Sequence, residues 1–388
     1  MIQPQPIAPR SGARAATPYR VMIVDDSAVI RGFLTRWLEA EADIEVVAIA
    51  SNGVQALREF DRARPELVIL DIEMPEMDGL TALPALVKRD PDVQVIMAST
   101  LTRRNADVSL KALSMGAADY IAKPESTRVV NEKELFQRSL VEKIRALGAT
   151  RRARARTPVI MPAPASGTPV PGGAVQPKLV AEKKPIELRP LKSPPVPRAI
   201  AIGSSTGGPQ ALFKLFEALK GKVSLPIFIT QHMPETFTAI MAEHLNRIYD
   251  KECVEAKQGQ KVSRDGVYVA PGNWHMTVAG KGDDLFIRLN QEPPENYCRP
   301  SVEPMLRSLH TVFGAQLLTV ILTGMGRDGL EASKKIADAG GIVIAQDEET
   351  SVVWGMPGAV ANAGICNRVL PLQEIPQSIE DVINGRLV

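Results

Sequence analysis

The chain has 388 residues, 45% apolar and 23% charged, with a formal net charge of +2. That length supports two or three domains with cores of their own, in a composition ordinary for a soluble globular protein. The near-neutral charge gives no basis for general nucleic-acid or membrane-surface binding, and no apolar run approaches the roughly 18 residues that span a bilayer. Cys253, Cys298 and Cys366 have no metal-ligand spacing and read as reduced packing residues of a cytosolic protein.

Residues 1–18 carry basic side chains without an apolar core, which predicts a flexible tail rather than a secretory signal. From 19 to 147 short apolar runs alternate with helical stretches. Val21–Val24, Glu45–Ala50, Leu67–Leu70, Val93–Ala98 and Asp119–Ala122 are the predicted strands, and the alternation predicts a doubly wound α/β sheet. In such a sheet the polar groups at the strands' carboxyl ends converge. Here they are Asp25 and Asp26, Asp71, Ser99, and Lys123 followed by Pro124. Three carboxylates brought together favour a hard cation such as Mg²⁺, and a carboxylate beside Mg²⁺ and a lysine can accept a phosphoryl group.

These positions, in this order, resemble the response-regulator receiver family over the first third of the chain. The resemblance implies Asp71 as phosphoacceptor, Asp25 and Asp26 with Asp71 as the metal-binding acids, and Lys123 as the phosphate-contacting base. It also implies Ser99 and Tyr120 as switch residues and a cis Lys123–Pro124 bond. A histidine kinase would be the phosphodonor.

Between 148 and 197 periodicity stops. The run Arg151–Arg156 reads as a solvated helix end, and the Pro-rich stretch after it as a linker too loose to fix two domains by itself. From 198 to 388 a second strand-and-helix series predicts a mostly parallel sheet with helices on both faces and a small hairpin, Met276–Val278 with Leu285–Leu289. It opens on Ala199–Ile202 followed by Gly203-Ser204-Ser205-Thr206-Gly207-Gly208, a strand-to-helix turn in which Gly203-x-Ser205-x-Gly207 matches a nucleophile elbow. Later strand ends carry His232 and Asp328, the residue types of a base and its orienter. His244, His275 and His310 have no comparable strand-end surroundings.

A competing reading exists for the last of these loops. Gly324-x-Gly326-x-x-Gly329, with Asp347 about twenty residues further on, satisfies a dinucleotide-binding fingerprint. Against it, Asp328 sets a negative charge where a pyrophosphate would lie, and the loop comes late in its domain. The residues alone favour a hydrolase without excluding the dinucleotide binder. A response regulator whose second domain only docks a partner is a further reading, but it leaves Ser205, His232 and Asp328 unexplained.

The whole second domain resembles the chemotaxis receptor methylesterase catalytic domain. The resemblance runs through Ile202–Gly208, Gln231-His232-Met233-Pro234, Ala270-Pro271-Gly272, Arg299-Pro300-Ser301-Val302, Leu322–Gly329 and Gly355-Met356-Pro357. It implies a Rossmann-like fold and a cytoplasmic serine esterase that hydrolyses γ-glutamyl methyl esters of chemoreceptors and deamidates receptor glutamines. The catalytic residues implied are Ser205, His232 and Asp328, with no cofactor for the ester chemistry; the backbones of Thr206 and Met325 are the candidates for the oxyanion hole. The departures are Ser204, where many relatives have alanine, and Glu303, where aspartate is usual.

Overall fold

A computed structural model describes residues 17–123, 130–156, 185–190 and 196–386. The tail, most of the Pro-rich stretch and the Lys123–Pro124 bond lie outside the described residues.

The first unit alternates β1 Tyr19–Val24, α1 Ala28–Glu39, β2 Ile44–Ala50, α2 Gly53–Ala63, β3 Leu67–Asp71, α3 Gly79–Arg89, β4 Gln94–Ser99, α4 Arg103–Ser114, β5 Asp119–Ala122 and α5 Val130–Arg156. Its sheet runs β2-β1-β3-β4-β5 and is parallel throughout. A parallel sheet covered on both faces needs strands that are apolar at every position, because successive side chains point to opposite faces. Met22, Val24, Val68 and Leu70 accordingly enter one core, and Val21, Ile23, Leu67 and Ile69 the other.

The second unit contains β6 Ala199–Ser204, α6 Gly208–Leu219, β7 Ile227–Gln231, α7 Glu235–Ile248, β8 Cys253–Glu255, β9 Val267–Val269, β10 His275–Lys281 and β11 Asp284–Asn290. It continues with α8 Val302–Phe313, β12 Leu317–Ile321, α9 Leu330–Asp338, β13 Ile342–Gln346, α10 Met356–Asn362, β14 Arg368–Leu370 and α11 Ile375–Ile383. The main sheet runs β14-β13-β12-β6-β7-β9-β8, all parallel, and β10 pairs β11 as the expected antiparallel hairpin. The chain moves one way from β6 to β7 and later returns to the other side at β12. The crevice beside β6 is therefore a topological switch point, where such sheets place their sites. β8 and β14 are too short, at three residues each, to stand out in the sequence.

The run Arg151–Arg156 is the helix end that was expected, the last part of α5, which carries the first unit past 147, but its first arginines are not free in solvent. Ion pairs hold this extension: Arg151 meets Asp90 at 2.7 Å and Arg152 meets both oxygens of Glu66 at 2.5 and 2.6 Å. Where the chain is next described, Arg189 N–H donates to the Cys366 carbonyl over 2.8 Å and runs along the second unit. Among the described residues no helix is long and apolar enough to cross a membrane.

Candidate active site

Two crevices carry chemistry. In the first unit, Lys123 Nζ lies 2.6 Å from Asp25 Oδ2 and 2.7 Å from Asp71 Oδ1. Oxygens of Asp25, Asp26 and Asp71 lie within 4.8 Å of one another, an all-oxygen donor set of the kind Mg²⁺ takes. Burial is the largest influence on Asp71 and, despite Lys123, leaves its carboxyl raised to about 6. Ser99, at the end of β4, accepts a hydrogen bond from Ser109 Oγ at 3.1 Å. Tyr120 is buried, with its ring stacked on Phe237 of the second unit at 4.4 Å between centroids.

In the second unit, the turn after β6 is tight because Gly207 adopts φ +76°. Its neighbour Gly324, in the loop after β12, comes so close that a Cβ there would sit 2.9 Å from that of Ser205. The two serines diverge. Ser204 is fully buried and donates to Gln231 Oε1 at 2.7 Å, whereas Ser205 lines a cavity of ≈1420 Å³ together with His232 and Asp328. Among the described residues, neither the Thr206 nor the Met325 backbone N–H donates a hydrogen bond, and both residues line the same cavity.

His232 follows β7 directly, and its Nε2 donates to Asp328 Oδ2 over 2.7 Å. Asp328 does not cap the helix that follows it, α9. It accepts instead from the N-terminus of α8: Val302 N–H at 2.6 Å, Ser301 Oγ–H at 2.8 Å and Glu303 N–H at 3.3 Å, with Asn296 Nδ2 adding a fourth donor at 2.9 Å. Burial works against the charge on Asp328. The His232 bond and the Val302 and Ser301 donors outweigh it and hold the carboxyl below its usual range. This accounts for Asp328 and argues against the dinucleotide reading, since a buried carboxylate is fixed at the turn that would cradle a pyrophosphate and Asp347 makes a local turn with Thr350.

The other imidazole nitrogen, Nδ1, lies 3.3 Å from Cys298 Sγ, and Ser205 Oγ is not among the ring's hydrogen-bond partners. Burial of the ring opposes its protonation; the Cys298 sulfur and the Asp328 carboxylate favour it and prevail, raising the imidazole to about 10. Cys298 thus departs from the packing role expected of the cysteines, which Cys253 and Cys366 do fill. Its place in an irregular loop between β11 and α8 gave no periodic signal. Two of the other histidines are held elsewhere, His275 by Ser301 N–H and His244 by Asp107 of the first unit, while His310, in α8, has a buried Nδ1 with no hydrogen-bond partner among the described residues.

Comparison with known proteins covers both units. Residues 200–379 match the family model described as CheB methylesterase, and residues 21–133 match the response regulator receiver domain. A protein-glutamate methylesterase/protein-glutamine glutaminase of Paramagnetospirillum magneticum is 54% identical over 94% of this chain and 96% of its own. The counterpart from Azospirillum brasilense is 51% identical over 96% and 94%. The chain belongs to the protein-glutamate methylesterase family. Among solved structures, the CheB methylesterase catalytic domain of Thermotoga maritima aligns at 36% identity and a TM-score of 0.47, covering 48% of this chain and 98% of that one.

In this methylesterase the two departures from the family pattern have structural explanations. Ser204 is sealed beneath the elbow by Gln231, whose Nε2 also donates to the Ser205 carbonyl at 2.8 Å. Glu303 accepts from Glu331 N–H and Ala332 N–H, each at 2.9 Å, and so caps α9, whose own preceding residue Gly329 offers no side chain. The receiver forms the opposite wall of the cavity that Ser205, His232 and Asp328 line. Tyr120, Lys123 and Arg138 line it across from Ser205. Around the rim Arg103 pairs with Glu243 at 2.5 Å and Gln210 Nε2 donates to the Ala117 carbonyl at 2.8 Å. One apolar cluster runs from the receiver core through Tyr120 and Phe237 into the catalytic core.

Proposed function

We propose that this protein is a phosphorylation-regulated serine esterase that removes methyl groups from γ-glutamyl methyl esters on chemoreceptor cytoplasmic helices in sensory adaptation. The observation that carries the reading is the meeting of Ser205, His232 and Asp328 in one cavity at the carboxyl ends of parallel strands. Because Asp328 takes the Nε2 edge of the imidazole, Nδ1 is the nitrogen that accepts the Ser205 proton as Oγ attacks the ester carbonyl. The Thr206 and Met325 N–H groups receive the developing oxyanion, typically about 10²–10³-fold in rate per donor. His232 returns the proton to the departing methoxide, releasing methanol, and then activates the water that frees the receptor carboxylate and Ser205. The same acyl-enzyme forms from glutamine with ammonia as leaving group, which makes deamidation the companion activity.

In the receiver, a histidine kinase supplies the phosphoryl group to Asp71. Asp25, Asp26 and Asp71 would hold Mg²⁺, which neutralises charge on phosphoryl oxygens. Lys123 would pair with the phosphoryl group once Asp71 is modified. Phosphorylation adds charge at a buried ion pair directly behind the interdomain wall, shifting the population away from the docked arrangement and opening the catalytic cavity. The enzyme acts in the cytoplasm on the receptors' cytoplasmic domains, with no nucleic acid and no membrane insertion of its own. Methanol release from methylated receptor membranes tests the reading. Normal turnover by Ser205→Ala would end the nucleophile assignment.

A further inference from the structure

We propose that Cys298 is a positioning residue that disarms the catalytic base in the receiver-docked protein, by occupying the Nδ1 edge of His232 that Ser205 must use. The inference rests on the serine-esterase reading and adds a second brake to the covering of the cavity.

The ring has two nitrogens and both are taken: Asp328 holds Nε2 at 2.7 Å and Cys298 Sγ stands 3.3 Å from Nδ1. Whether the shared proton sits on sulfur or on nitrogen, the Nδ1 lone pair is engaged and cannot accept the Ser205 proton. Arming the base therefore requires the sulfur to leave.

The loop that carries Cys298 is built to be held from outside. Asn296 and Tyr297 are consecutive non-glycine residues with φ of +51° and +63°, a conformation asparagine adopts readily but a bulky residue such as tyrosine keeps only where surroundings impose it. On the catalytic side Glu295 pairs with Arg307 at 2.7 and 2.5 Å, and Asn296 is tied to Asp328. Across the cavity the receiver supplies the other anchor. The Arg138 guanidinium of α5 lies 4.0 Å from the centroid of the Tyr297 ring, and with that contact in place the rest of the side chain stays open to solvent, 78% exposed. Undocking the receiver removes the Arg138 guanidinium from the Tyr297 ring, the one ring contact Tyr297 makes among the described residues, and frees the adjacent Cys298 to withdraw from the imidazole.

The test uses the full-length, unphosphorylated protein and methylated receptor membranes. Cys298→Ala is expected to raise kcat for methanol release about threefold to tenfold, the range a single displaced hydrogen bond supports, with KM unchanged. Cys298→Ser, which can still reach Nδ1 with a hydroxyl, should fall between the two. Arg138→Ala, which leaves the cysteine in place, should move kcat in the same direction as Cys298→Ala. An activity-free readout runs in parallel: the ¹⁵N signals of the His232 ring should shift in Cys298→Ala and return toward wild type in Cys298→Ser. If kcat of Cys298→Ala equals or falls below wild type, or the ring signals do not move, Cys298 does not hold the base. If no variant releases methanol even when phosphorylated, the esterase reading fails instead, and the ring signals alone decide the cysteine's role.

Discussion

Ser204 and Ser205 are neighbours in sequence and opposites in environment, one sealed against Gln231 and the other facing the cavity beside His232. Ser205→Ala should lower methanol release by about 10⁴-fold or more, as loss of a triad nucleophile does. Ser204→Ala should leave turnover within a few-fold. It should instead cost about 1–3 kcal/mol of stability by stranding the Gln231 carbonyl, read as a lower Tm. The His232 imidazole, raised to about 10 while the receiver is docked, acts as a base only in the fraction that is both deprotonated and released by Cys298. The unphosphorylated enzyme should therefore gain about tenfold in rate per pH unit between pH 7 and 9, after correction for spontaneous ester hydrolysis. A rate flat across that window would show that the base is already free. Ser205, His232 and Asp328 were legible in the sequence because each follows an apolar run that could only be a buried strand, and strand ends of one parallel sheet share a side. Cys298 was not, because a loop residue has no period to betray which side chain it will meet.

At the scale of elements, the site depends on helices that the sequence does not show to be neighbours. Asp328 follows β12, yet its charge is held by the N-terminus of α8, more than twenty residues earlier in the chain. The first turn of α8 in turn provides Glu303, whose carboxylate caps α9. Glu303→Ala should uncap α9 and destabilise the domain by about 1–2 kcal/mol, measurable by chemical denaturation, while the folded fraction keeps its turnover. A loss of turnover without loss of stability would assign Glu303 to the substrate instead. Capping of one helix by another arises only from tertiary packing, so the sequence showed that Glu303 departs from the family pattern without showing its role. The pairing of the arginines that end α5 was missed for a related reason. A run of arginines reads as solvated until Asp90 and Glu66 of other elements are seen to meet it.

The whole molecule is a receiver set as the lid of an esterase. Both parallel sheets followed from the alternation of apolar runs, but their strand orders and the docking of one unit on the other did not, since a Pro-rich connection leaves the units' relation open. Tyr120, expected as a switch residue, is also the aromatic that stacks on the catalytic domain, so the switch and the contact surface coincide. Arg103→Glu, which turns the Glu243 pair into a repulsion, should raise the unphosphorylated rate by up to about fivefold, the range of an exposed ion pair. The isolated 198–388 fragment should exceed it. The most direct measurement of the account is methanol release from methylated receptor membranes by the full-length protein before and after phosphorylation of Asp71. The predicted result is a low basal rate that rises on phosphorylation, stays low in Asp71→Ala and is absent in Ser205→Ala. Equal rates with and without the phosphoryl group, or undiminished release by Ser205→Ala, would contradict it.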